Sequence, residues 1–294
     1  IGSVLSLVDL GSEIIIKFGS QEQKKKFLIP LVKGEKRLSV AFGESEDGKD
    51  LSSISSIAEK KEKGYLLHGK KRFVPNVSLA DAFITLCKEP KEGWITLIVE
   101  SDKDGIEIHR IDKMGLRMIA FGDLHLKEVW VPDENRLGSG EGGINQVNYL
   151  HQVMGLKTLS QALGLIQGAF DRALKYANQR EQFGRKLSQF QVIRHKLTDM
   201  AVGMEVARWL TYKSAFEFDR GETDQGSLSI AQLEAGRRLV WVVDEALQIF
   251  GGYGYMAEQD IEHFYRDAWA IVAELGTEEE LKDEIAKRII GTQK

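Results

Sequence analysis

The chain has 294 residues, of which 43% are hydrophobic and 29% charged. That is globular composition with enough length for a sizeable core, in one large or two ordinary domains. Forty basic against 44 acidic residues leave a formal charge of -4, which removes the simple electrostatic case for nucleic acid. The single cysteine, Cys87, excludes an internal disulfide framework and a cysteine metal cluster. No apolar run reaches the roughly 18 residues of a membrane helix. The first stretch, Ile1 to Phe18, is broken by Asp9, Glu13 and Lys17 and lacks the basic start of a signal peptide. A cytoplasmic chain is the resulting expectation.

Residues 1–36 read as helical. Ser20 precedes Gln21, Glu22 and Gln23 as an N-cap, the lysines 24 to 26 form a solvated face, and Pro30 and Gly34 bracket the end. Residues 37–138 read as strands. Tyr65 to Gly69, Ala82 to Cys87 and Trp94 to Val99 are short β-rich runs between turn residues. Gly105 to His109 and Asp123 to Val129 alternate with period two, so a small sheet domain or barrel is expected.

Residues 139–294 read as long helices. Leu156, Leu159, Leu163, Ile166, Phe170, Ala173 and Ala177 step by threes and fours into one apolar stripe. A second helix carries Phe190, Ile193, Leu197, Met200, Met204 and Leu210, and a third runs from about Ser227 to Phe250. A fourth starts at Thr277, which has capping-box spacing to Glu280. Short links between four long helices predict an up-down bundle. The fold class is therefore mainly α with a β-domain: partial N-terminal helices, a central sheet or barrel, and a C-terminal four-helix bundle.

Two stretches carry chemistry. Arg180-Glu181-Gln182-Phe183-Gly184-Arg185-Lys186-Leu187 joins two long helices. It fits either a grip on an anion such as pyrophosphate, with Phe183 against a flat ring, or a basic helix hairpin with a buried phenylalanine. Gln248-Ile249-Phe250-Gly251-Gly252-Tyr253-Gly254-Tyr255 fits either a backbone that approaches a ligand closely or a helix C-cap and loop. The six histidines (His68, His109, His125, His151, His195, His263) show no metal-ligand spacing, and no metal is expected. Asp47 to Asp50 has the composition of a calcium loop without its closing glutamate.

Taken together in this order, the two stretches resemble the acyl-CoA dehydrogenase family. So do Ala162 to Ala169, His195 to Met200, Tyr265-Arg266-Asp267-Ala268, Lys113 to Arg117 and Glu128 to Gly138. The resemblance spans essentially the whole chain. It implies an N-terminal helical domain of which residues 1–36 are a remnant, a β-domain (37–138) and a four-helix bundle (139–294). It implies FAD, with Arg180, Gln182 and Phe183 holding the adenosine-diphosphate half. It also implies that Gln248, Gly251 and Gly252 line that half from a neighbouring subunit, with Thr277 nearby and Phe73 over a ring face. It further implies α,β-dehydrogenation of an acyl-CoA thioester in fatty acid metabolism, an electron-transfer flavoprotein as acceptor, and a homotetramer or hetero-oligomer built as a dimer of dimers.

Four positions depart from the family pattern. The chain begins inside the N-terminal domain. The family's catalytic glutamate aligns with Leu275, which makes Glu274, one place earlier, the candidate base. Met154 and Gly155 stand where other members carry a base on the first bundle helix. Gly43 to Asp50 and Phe73-Val74-Pro75-Asn76 replace the flavin-contacting stretches, with Lys49 and Pro75 in place of hydroxyl residues. The same departures support an alternative: a non-catalytic or partner-dependent subunit that contributes to a partner's FAD site.

Overall fold

The computed structural model describes residues 2–44, 54–138 and 143–291. The chain divides into two compact units, residues 1–113 with 117–151 and residues 114–116 with 152–294.

The first unit opens with α1 (Gly2–Phe18), α2 (Gln21–Gln23) and α3 (Ile29–Val32). Ser20 is the predicted N-cap: its Oγ accepts from the Gln23 N–H while Gln23 Oε1 accepts from the Ser20 N–H. Gln23 then donates to the carbonyls of Glu134 and Arg136, so the cap also fixes this turn against the sheet.

The sheet comprises β1 (Leu38–Ala41), β2 (Ile57–Lys61), β3 (Gly64–Pro75), β4 (Ala82–Glu89), β5 (Gly93–Glu100), β6 (Ile106–Ile111), β7 (Phe121–Pro132) and β8 (Arg136–Leu137). Its order is β6-β7-β3-β2-β4-β5-β8, with β1 parallel to β4. The five predicted runs become β3 to β7. The short β1, β2 and β8 carry too little pattern to be read alone. One face of β7 buries Leu124 and Leu126, as period two demands. Beyond them the phase slips, and Val129 and Val131 are the buried pair. The cause is a bulge: Leu67 pairs with Val129 but Gly69 with Leu126, and Glu128 takes a φ of 55°. A second shift lies between Lys71 and Val74 on β3, where Phe73 has a φ of 53°.

Beneath the sheet lies a buried ion pair. Lys71 is fully buried and its Nζ donates to Glu44 and to the carbonyls of Phe42 and Leu86. Glu44 also accepts from Ser55 N–H and Oγ–H and from the Ser56 N–H.

The second unit is helical: α4 (Gly143–Gln179, from Gln152 onward), α5 (Gln191–Asp219), α6 (Gln225–Phe250), α7 (Ile261–Leu275) and α8 (Glu278–Ile290). The α4 stripe packs as predicted, with Leu159, Ile166, Ala173 and Ala177 fully buried. Alanines at 162, 169, 173 and 177 let the neighbouring helices approach closely. α8 starts on the predicted capping box, Thr277 with Glu280. α7 joins the four predicted helices. Its signal is Ile261, Ala268, Ile271 and Leu275, all buried at helical spacing.

Candidate functional site

The Arg180 stretch is not a helix hairpin. α4 stops at Gln179 and a miniature β-hairpin follows, β9 (Glu181–Gln182) against β10 (Arg185–Lys186). Phe183 and Gly184 form its two-residue turn, with φ of 53° and 74°. Two positive φ values are the signature of a type I′ turn, which matches strand twist and which glycine adopts without cost. The Leu187 N–H closes the hairpin on the Arg180 carbonyl at 2.9 Å. The turn pushes Phe183 outward, and it is 92% exposed. That excludes the buried-phenylalanine alternative and presents to solvent a ring that stands edge-to-face with Phe190 at 6.4 Å.

α6 ends at the glycine stretch. Gly251 caps it with a φ of 59°, and Gly251–Tyr255 continues as a short 3-10 helix. The stretch is a helix C-cap, and its glycines also line a cleft. The cleft measures about 520 Å³, and Arg180, Gln182, Leu187, Gly251, Gly252 and Tyr253 are among its lining residues. Tyr176 and Phe250 form an apolar wall, stacked with ring centroids 4.1 Å apart. Tyr176 lies one helical turn before Arg180, so spacing alone could have added it to the site.

The Arg180 guanidinium lies over the Tyr253 ring at 5.3 Å. No carboxylate among the described residues pairs with it. Arg185 likewise stacks on Phe190, at 3.9 Å, with no acidic partner among the described residues. A half-buried arginine with no counter-ion is a ready anion site. A Cβ added at Gly252 would meet no protein atom within 4 Å, so packing within the chain does not demand glycine there. A bare backbone beside an unpaired arginine and a stacked aromatic wall suits a dinucleotide's phosphates and ring. The adenosine-diphosphate half of FAD thus fits this donor set. Both stretches line this one cleft within a single chain. Gln248 lies one turn earlier on α6 and is exposed outside the lining.

The other expected residues are not among those lining the cleft. Glu274 is half-buried near the C-terminus of α7. Leu275 turns into the bundle core at 3% exposure, beside Gly236 of α6. Met154 is half-buried on α4, and Gly155 is packed against Leu228 and Gln232. Thr277 is exposed, with its hydroxyl in the α8 cap. On the first unit, Phe73 sits at the β3 bulge. Its N–H donates to Asp123 at 3.4 Å, and the Arg72 guanidinium covers its ring at 4.9 Å. Pro75 offers only its carbonyl, which accepts from Ser39 Oγ–H at 2.5 Å. Ser45 to Asp50, with Lys49, lie outside the described residues.

Two of the matched stretches touch. Arg266 donates to the Met114 carbonyl at 2.9 Å, and the Leu116 N–H donates to Asp267 Oδ1 at 2.7 Å. These two bonds hold residues 114–116 as a strap on α7, and Leu116 adopts a φ of 47° there. Glu262 orients Arg266 from one turn back and holds its guanidinium above the usual range. Both stretches are legible in the sequence but their contact is not, because Leu116 and Asp267 lie 151 positions apart.

Comparison with known proteins gives consistent matches. Residues 39–129 match the acyl-CoA dehydrogenase middle domain and residues 141–290 the acyl-CoA dehydrogenase C-terminal domain. A 3-(aryl)acrylate reductase of Clostridium sporogenes is 34% identical over 286 residues, covering 96% of this chain and 76% of that protein. A subunit of the caffeyl-CoA reductase-Etf complex of Acetobacterium woodii is 34% identical over 264 residues, covering 88% and 70%. The butyryl-CoA dehydrogenase structure from Megasphaera elsdenii superposes with a TM-score of 0.91 at 34% identity, covering 97% of this chain and 76% of that one.

Proposed function

Because the chain belongs to the acyl-CoA dehydrogenase family, we propose that it binds FAD and acts on the Cα–Cβ bond of an acyl-CoA thioester. The observation that carries this reading is the cleft in which unpaired Arg180, Gln182 and the Gly251-Gly252 backbone meet. Arg180 grips the pyrophosphate, Gln182 and the glycine backbone position it, and exposed Phe183 lies along a flat ring. Bound FAD supplies the hydride acceptor. Glu274, half-buried near the end of α7, takes the α-proton on a carboxylate oxygen. Thr277 serves the cofactor from the start of α8, and Phe73 is a further candidate contact on the first unit. Run backwards, the same residues reduce an enoyl-CoA, in keeping with the two reductase names among the relatives.

The working form is a homotetramer or hetero-oligomer in the cytoplasm, with an electron-transfer flavoprotein as redox partner. The Etf-complex relative supports the partner. A stripe of exposed apolar residues on α5, Val202, Trp209, Tyr212 and Phe216, supports the oligomer. Among the described residues no helix is long and apolar enough to cross a membrane.

One observation favours a second reading. Leu275, at the family's base position, is buried in the bundle core, and Met154 and Gly155 cannot take a proton. The chain is then a non-catalytic or partner-dependent subunit that lends its cleft to a partner's FAD.

A visible spectrum of the purified chain, followed by anaerobic addition of acyl-CoAs, separates the two. The first reading expects a flavin spectrum that bleaches, and Glu274→Gln slows the bleaching by about 10²–10⁴-fold. Bleaching at the original rate in Glu274→Gln removes Glu274 as base. Flavin that never bleaches, or no flavin, overturns the first reading in favour of the second.

A further inference from the structure

We propose that Glu107, His109 and His125 form a binding site for a divalent transition-metal ion of the zinc class on the outer face of the β6–β7 edge. β6 is the edge strand of the sheet, and its register pairs Glu107 with His125. His109 lies two residues beyond Glu107, so strand alternation brings all three side chains to one face. One potential ligand atom from each lies within 4.8 Å of those from the other two. The two imidazole rings stand 4.4 Å apart and tilted by 43°, and His109 Nε2 is 3.8 Å from a Glu107 carboxylate oxygen.

The donor set suits the ion. Two neutral imidazoles and a carboxylate are the zinc-class combination, and three protein ligands leave one position for water. His125 Nε2 is shielded from solvent and has no hydrogen-bond partner, so its lone pair or proton is unspent. Ligand atoms on a tetrahedral ion are about 3.3–3.5 Å apart. Closing from the present spread takes only side-chain rotations of Glu107 and His109, whose side chains are 48% and 57% exposed. The sheet fixes the backbone beneath them.

Three charged neighbours tune the site. Lys127 Nζ holds both Glu107 oxygens, at 2.9 and 3.1 Å, and competes directly with a cation. Lys70 pairs with Asp123 at 2.9 Å, which spends that carboxylate beside the site. Sequence reading finds no ligand spacing here because cross-strand register, not chain proximity, joins Glu107 to His125.

Calorimetric titration of the untagged, chelator-treated full chain with Zn²⁺ alone tests the proposal, with Co²⁺ absorption as a second readout. The expected result is saturable binding of one ion per chain. His109→Asn and Glu107→Gln, both at exposed positions, each weaken it by at least about tenfold. Lys127→Gln tightens it, because the competing ammonium is gone. His263→Asn, beside Glu262 on α7, leaves it unchanged. No saturable binding, or affinity indifferent to His109→Asn and Glu107→Gln, overturns the site.

Discussion

Lys71→Met is the sharpest test of how the sheet unit is held together. The side chain is fully buried and its ammonium faces three acceptors, the Glu44 carboxylate and two carbonyls. Methionine fills a similar volume but supplies no charge and no donor. Glu44 keeps its Ser55 and Ser56 donors and loses its counter-ion. A buried ion pair broken on one side costs about 3–5 kcal/mol, because the remaining charge is stranded. That is a large share of the roughly 5–15 kcal/mol that holds an ordinary domain folded. The expected effect in urea denaturation at neutral pH is therefore a loss of about 3–5 kcal/mol from the transition that reports the sheet.

The pH dependence gives the sign. Burial pushes the Glu44 carboxyl up, but the Lys71 charge and hydrogen bond, with Ser56 and Ser55, outweigh burial and hold it below its ordinary 4.5. In the parent chain, Glu44 stability is present above that ordinary value and lost as pH falls through the lower folded one. Without Lys71 the largest lowering influence is gone, so the carboxyl rises from its parent value. The variant's deficit then shrinks as pH falls toward the carboxylate range. Cys87, packed nearby, does not disturb this: burial raises its thiol to about 11, so it carries no charge. Lys71→Met with Glu44→Gln removes both charges while keeping an acceptor for the serines, and most of the loss is recovered. A deficit under about 1 kcal/mol at neutral pH, or one that does not change with pH, refutes the reasoning.

The helical cleft gives a prediction for the cofactor. Arg180→Ala removes a charge-assisted grip worth about 1.5–3 kcal/mol, so FAD binds roughly tenfold to 150-fold more weakly by fluorescence titration. Arg180→Lys falls between, since a lysine keeps the charge but not the fork. Unchanged affinity in Arg180→Ala removes the cleft as the pyrophosphate site. At the start of α8, Thr277→Ala loses the hydroxyl that accepts from the Glu280 N–H. Thermal unfolding then shows a loss of about 1 kcal/mol, which Thr277→Ser restores, and equal stability of Thr277→Ala sinks the cap assignment.

Sequence by itself determined the local structure of this protein. The α4 stripe, the Ser20 and Thr277 caps and the five main strands are written in residues a few positions apart. Helix periodicity, capping and strand alternation act over that range. The Arg180 and Gly251 stretches stand out in the sequence as candidates, since clustered arginines and clustered glycines are local signals too.

Tertiary structure decided what those signals do together. Folding brought the β9–β10 hairpin and the end of α6 into one cleft, although roughly sixty residues of chain lie between them. It made the Arg180 link a β-hairpin whose turn exposes Phe183, and it turned Leu275 into the bundle core. The bulges at Phe73 and Glu128 arise from unequal pairing between β3 and β7, a mismatch neither strand carries alone. Register likewise joins Glu107 to His125, and helix packing joins Leu116 to Asp267. Such contacts depend on which partner each surface finds, and pairing between distant segments is a property of the whole chain.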